Sequence, residues 1–238
     1  MIKQNLAHGK AERTNTTHKL NWLRASVLGA DDGIVSVAGL VMGVAGATNS
    51  TGTIFAAGLA GIIAGSISMA AGEFVSVSSS RDTEKALLKK ERFELENFPQ
   101  EELSELTRIY EQKGLSHNTA KRVALELSKN DAFAAHAHAE LNIDPQNLTN
   151  PWHAAFASAM SFLAGAIIPL LTILLTPLNL RLPLTFISVA IALGVTGFLS
   201  AKIGDADSKQ AILRVVTGGV LAMLITYFIG KMFAVSGL

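Results

Sequence analysis

Two adjacent carboxylates, Asp31 and Asp32, stand inside VLGADDGIVSVAG, a run that is otherwise apolar or small. A carboxylate held in hydrocarbon costs on the order of 3 kcal/mol at the bilayer centre, and somewhat less a few residues in. Asp is short and reaches poorly for the interface, so a bound divalent cation or a shuttled proton is the expected compensation. Neighbouring helical residues point about 100° apart, so one Asp is expected to do the work and the other to support it. In a second apolar run, Gly61, Gly65, Met69 and Glu73 recur at steps of four, which puts them on one helical stripe. A thioether adds little to hard Mg²⁺ or Ca²⁺ but suits Fe²⁺ and other transition metals. Small residues at the same spacing let membrane helices approach closely.

A third group is polar. Glu91 and Glu94, and then Glu102 and Glu105, are Glu-x-x-Glu pairs in which each pair shares one helix face. The break at NFPQ lets two helices fold back on each other and bring the four carboxylates together. Oxygen-rich clusters of this kind suit Mn²⁺, Fe²⁺, Mg²⁺ or Ca²⁺. The segment AAHAHAEL then adds His136, His138 and Glu140. His136 and Glu140 are four apart and share a face, whereas His138 points elsewhere. Histidine with carboxylate favours a first-row transition metal over Ca²⁺.

The elements that must position these groups follow from hydropathy. Only 16% of the 238 residues are charged and 49% are hydrophobic, a membrane-protein balance. There is no Cys, which excludes disulfides and thiolate metal sites. Five segments reach the ~20 apolar residues that a bilayer requires: about 26–47, 54–77, 154–176, 183–203 and 211–234. The polar start lacks the apolar core of a signal peptide, so the first span is expected to be an internal anchor. Lys3, Lys10, Arg13, Lys19 and Arg24 precede that span, and ten Lys or Arg fall in 81–150. The intervening loop TNSTGT has no charge, which places the N-terminus and the insert in the cytoplasm and the C-terminus outside.

Residues 81–150 carry 13 of the 19 acidic residues. No Gly or Pro lies between Glu73 and Asn97, so the second span is expected to continue into the insert as one long helix. Pro99 suits the start of the next helix and Gly114 its stop. Ser116 is expected to cap a third, ending near Ser128, and Asp131 to begin a fourth that stops before IDP. The fold class is therefore all-α. A cytoplasmic tail (1–25) and spans one and two (26–80) precede the helical metal-binding insert (81–150), and spans three to five (151–238) follow it.

DDGIVS in span one, SISMAAGEFVSVSS leading into RDTEKALLKKERFELE, and the acidic insert together resemble the vacuolar iron transporter family, from about His18 to the C-terminus. The resemblance implies a five-span protomer that dimerises around a pore lined by span one. It also implies a cytoplasmic domain that collects metal, and exchange of Fe²⁺ or a similar ion for protons. By position the family's span-one aspartate falls on Asp32 and its span-two methionine on Met69, while the glutamates of its cytoplasmic domain fall on Glu91, Glu94, Glu102, Glu105 and Glu140. The iron-transporting type has an acid where this chain has Gly61, which leaves Glu73 to take over a proton or metal role. Two family methionines fall on His136 and Ala137, a change expected to shift preference toward Mn²⁺.

The expected function is proton-coupled export of Fe²⁺ or Mn²⁺, other divalent transition metals being possible substrates, with no organic cofactor and no nucleic-acid partner. The chain is expected to be a multi-pass homodimer in a bacterial inner membrane, or in a vacuolar membrane if eukaryotic. A metal-gated passive channel is the alternative. A membrane-anchored di-iron oxidase is disfavoured, because no Glu here is followed three positions later by His, the pairing such bundles use.

Overall fold

The structure, a computed structural model, describes residues 26–236. The expected N-terminal tail lies outside the described residues. Those described form seven helices and no strand: α1 (Ser26–Ala47), α2 (Thr51–Asn97), α3 (Pro99–Gln112), α4 (His117–Ala139), α5 (Pro151–Leu175), α6 (Arg181–Ile203) and α7 (Ser208–Ser236). Five of them, α1, α2, α5, α6 and α7, are long and apolar enough to cross a membrane.

The chain divides into two compact units, one running to Glu73 and resuming at Trp152, the other spanning Phe74–Pro151. In the first, α1 supplies the centre of the core. Its Ile34, Val37, Ala38, Val41 and Met42 are buried against Phe162, Ala166 and Ile173 of α5, Val189 and Leu193 of α6, and Met223 of α7. Close approach is what the glycines provide. Gly33 of α1 lies against the Phe162 carbonyl and Gly165 of α5 against the Ala30 carbonyl, leaving no space for a Cβ at either position. The α1 glycines therefore serve contacts with α5 and α7, while Gly61 and Gly65 of α2 make room for the side chains of Leu40 and Phe162. Arg181 is buried at the start of α6 and binds the Thr51 hydroxyl at 2.9 Å, tying α6 to the α1–α2 connection.

The second unit is built from the end of α2 with α3 and α4. Pro99 opens α3, where its missing N–H costs nothing, and Glu101 and Glu102 complement the positive helix end. Gly114, at φ 96°, turns the chain beyond α3 in the left-handed region where a Cβ is disfavoured. Ser116 occupies the N-cap position of α4, but its hydroxyl pairs with Thr119 Oγ1 at 3.0 Å. Asp131 interrupts α4 with an extended backbone, and its carboxylate accepts the Ala134 N–H at 2.9 Å. It is the N-cap of a second half-helix, as the sequence suggested. Leu88, Ala137 and Ile143 form the small core, joined by Phe133, whose ring lies 4.6 Å from the Arg92 guanidinium.

Candidate metal centre

The α2–α3 reversal and the Asp131 break converge on one point. Glu91 of α2, Glu102 of α3, and His136 and Glu140 at the end of α4 bring one ligand atom each to within 4.8 Å of one another. His136 is fully buried, and its Nδ1 lies 3.0 Å from Glu91, 3.4 Å from Glu102 and 3.7 Å from Glu140. Yet Nδ1, Nε2 and the nearest Glu91 oxygen make no hydrogen bond of acceptable geometry. Buried polar atoms left this way are costly, and a shared cation would satisfy them. Donors held ~2.1 Å from one ion sit roughly 3 to 4 Å apart, so a small contraction completes the site. One neutral nitrogen among three carboxylates is a donor set for a first-row transition metal.

Each Glu-x-x-Glu pair contributes one member to this cluster. Glu94 instead pairs with Lys90 at 3.0 Å, and Glu105 with Arg108 at 3.0 Å. Their negative charges still act on Glu91 and Glu102. His138 is exposed and stands apart from the group. The half-helix after Asp131 is what turns His136 inward.

Crowded carboxylates resist ionisation. Burial, then the charges of Glu140, Glu102 and Glu94, push the Glu91 carboxyl up to about 7. Glu102 is raised by burial and then by Glu105 and Glu94. Burial lowers His136, opposed by Glu140, so its imidazole stays neutral and its lone pair available. An arriving dication must therefore displace a proton from Glu91 whenever the pH lies below about 7. Mn²⁺ affinity of this cluster is expected to fall about tenfold from pH 7.5 to 6.0. Calorimetry on full-length Asp32→Asn protein, in two buffers of different ionisation enthalpy, reads both the affinity and the released proton.

In the membrane-spanning unit the two aspartates diverge. The Asp32 carboxylate accepts the Ser36 hydroxyl at 2.9 Å and lines a recess of about 190 Å³ with Gly61, Gly65, Ser68 and Met69 of α2 and Phe162 of α5. Asp31 accepts a hydrogen bond from the Thr196 hydroxyl of α6. Glu73, one turn beyond Met69, is half-buried and is not among the residues lining the recess. The recess offers a carboxylate, two hydroxyls and a thioether to one ion, with room for retained water. Ser36, four residues after Asp32, was visible in the sequence as a helical neighbour. Thr196 and Phe162 lie in distant spans and gave no signal.

The VIT family model matches residues 23–231, nearly all of the chain. The chain belongs to the VIT family. It is 42% identical over 218 residues to the vacuolar iron transporter of Acanthamoeba castellanii, covering 91% of this chain and 80% of that protein. Vacuolar iron transporter homolog 2 of Arabidopsis thaliana is 33% identical over 232 residues, covering 95% of this chain and 94% of the relative. Vacuolar iron transporter homolog 2 of Oryza sativa is 34% identical over 217 residues, covering 91% and 93%. These relatives are named as transporters, and this VIT-family chain, with its five apolar helices, is an integral membrane protein.

Proposed function

We propose that this VIT-family chain is a secondary transporter that moves Fe²⁺ or Mn²⁺ out of the cytoplasm in exchange for protons. The observation that carries the reading is the recess that Asp32 and Met69 line together among the apolar helices α1, α2 and α5. A carboxylate alone would suit any hard cation, and a thioether alone is ordinary packing. Together in hydrocarbon they favour a transition metal. The relatives' names supply the same substrate class.

In this reading the Glu91–Glu102–His136–Glu140 cluster captures metal from the cytoplasm, with Glu94 and Glu105 adding attraction at its edge. The ion then passes to Asp32 and Met69, and Glu73 provides a further carboxylate one turn along α2. Ion arrival displaces protons, and their return through the same acids resets the site. Lys and Arg placement supports a cytoplasmic N-terminus and insert. The family resemblance supports a homodimer, in a bacterial inner membrane or a vacuolar one.

The test is uptake by liposomes containing the purified protein alone, with Fe²⁺ and Mn²⁺ in competition and an imposed pH gradient. Metal accumulation that is driven by an acidic interior supports exchange. Flux that follows only the metal gradient and ignores pH contradicts exchange and describes a channel.

A further inference from the structure

Four of the five apolar helices are linked to one another through backbone contacts. Gly33 of α1 lies against the Phe162 carbonyl of α5, and Gly165 of α5 against the Ala30 carbonyl of α1. At the other end of α1, Gly46 and Gly230 lie against the Tyr227 and Gly43 carbonyls, which locks α1 to α7. Gly197 of α6 approaches α7 so closely that a Cβ there would stand 3.1 Å from the Ile212 Cα. α2 is held differently. Its Gly58, Gly61 and Gly65 meet only side-chain ends, those of Leu170 and Val41, of Leu40, and the Phe162 ring. Helices in backbone contact cannot shift without driving a Cβ into a carbonyl, whereas side-chain ends can change rotamer.

The hold on α2 is also uneven along its length. At its start Arg181 of α6, itself 6% exposed, donates to the Thr51 hydroxyl at 2.9 Å and to the Asn49 carbonyl at 3.4 Å, and Ile54 is fully buried. Ile62 and Ser66 are buried further on, but none of residues 67–73 is. A helix tethered at one end and seated on side chains along the rest is built to tilt. Met69 lies about 27 Å beyond Thr51 along the helix, so a tilt of about 5° at the tethered end carries it roughly 2 Å. Asp32, which lines the recess with Met69, belongs to the backbone-locked α1.

We propose that α2 pivots about its Arg181-held start during transport, carrying Met69 toward and away from an Asp32 that stays fixed with α1, α5, α6 and α7. Leu40 seated over Gly61 is the contact across which the tilt takes place. The proposal rests on the transport reading. The seam between α1 and α2 lies within one chain, so each copy of a homodimer contains it.

The test uses the absence of Cys, which lets introduced pairs be joined cleanly. Leu40→Cys with Gly61→Cys links α1 to α2, at a place where a Cβ on residue 61 lies 3.8 Å from the Leu40 Cγ. Gly43→Cys with Thr226→Cys links α1 to α7, where the two Cβ positions are 3.4 Å apart. Mn²⁺ uptake by liposomes is read before oxidation, after it, and after reduction. Oxidation is expected to lower uptake about tenfold or more in the first pair, reversibly, and to leave the second within about twofold. Cross-linked α1–α2 protein that transports at its reduced rate overturns the proposal. So does equal inhibition by the α1–α7 link, since the block assigned as fixed must then move.

Spin labels at Gly72 of α2 and Gly218 of α7, where a Cβ meets nothing within 4 Å, give a second reading that needs no disulfide. In protein diluted with unlabelled chain, their separation is expected to change by about 2 Å or more on saturation with Zn²⁺. The separation between labels at Gly194 of α6 and Gly218 is expected to stay constant. An unmoved α2 label overturns the proposal even where the disulfide fails to form. If the unsubstituted chain moves no metal, the transport reading fails, and this proposal falls with it.

Discussion

Asp32→Asn is expected to abolish metal uptake while the protein still inserts and folds. The substitution keeps the shape of the side chain and an oxygen that can accept the Ser36 hydroxyl, now 2.9 Å from the carboxylate. It removes the single charge lining the recess. A dication that has shed part of its hydration shell would then meet two hydroxyls, an amide and a thioether, all neutral. At an effective dielectric of about 20, a carboxylate some 3 Å from a dication contributes roughly 10 kcal/mol of attraction, before the ion's dehydration is subtracted. Losing even a third of that exceeds a hundredfold in affinity. Uptake below about 1% of wild type is expected, with a thermal midpoint within a few degrees of the parent. The asparagine also relieves the cost of an isolated charge in hydrocarbon, so no loss of folding is expected to confuse the result. Uptake near the wild-type rate would remove Asp32 from the path.

His136→Ala carries the second large effect, in the insert. The imidazole is fully buried and supplies the one nitrogen in a group whose other members are carboxylates. Its removal deletes a ligand and leaves Glu91, Glu102 and Glu140 facing one another across a cavity. Mn²⁺ or Zn²⁺ affinity of the insert is expected to fall about a hundredfold, equivalent to roughly 2.7 kcal/mol. Glu94→Ala and Glu105→Ala should cost much less, because these side chains are held by Lys90 and Arg108 and act on the cluster only through their charge. Calorimetry in an Asp32→Asn background isolates the insert, and circular dichroism reports whether its helices persist. Equal affinities for His136→Ala and the parent would mean that this cluster holds no metal.

Much of this architecture is legible in the chain because hydrocarbon thickness dictates it. Each expected span corresponds to a helix, and the differences lie at the ends. α2 starts at Thr51, three residues earlier than hydropathy suggests, because Ser50 accepts the Thr53 N–H at 3.3 Å. α5 likewise begins at Pro151, a residue suited to the first helical turn. Pro99, Gly114 and Asp131 mark the insert's boundaries through backbone chemistry that needs no tertiary context. That Asp31 and Asp32 point to different neighbours follows from helical geometry. The partner that holds Asp31 does not, since Thr196 is 165 residues away. Which glutamate of each pair turns toward His136 was also hidden. Spacing places Glu91 and Glu94 on one face, but the crossing of α2, α3 and α4 decides which reaches the centre. Nor does the pattern AFAAHAHAEL reveal that His136 is buried, because flanking alanines fit a surface and a tight core equally well.

The most direct measurement is anomalous X-ray scattering at the manganese edge from crystals of the protein grown with Mn²⁺. Two peaks are predicted, one within ordinary bonding distance of His136 and the surrounding glutamates, the other between the Asp32 carboxylate and the Met69 sulphur. Full occupancy of the insert with no metal near Asp32, even when protons are kept scarce at high pH, would contradict the idea that Asp32 and Met69 carry the ion.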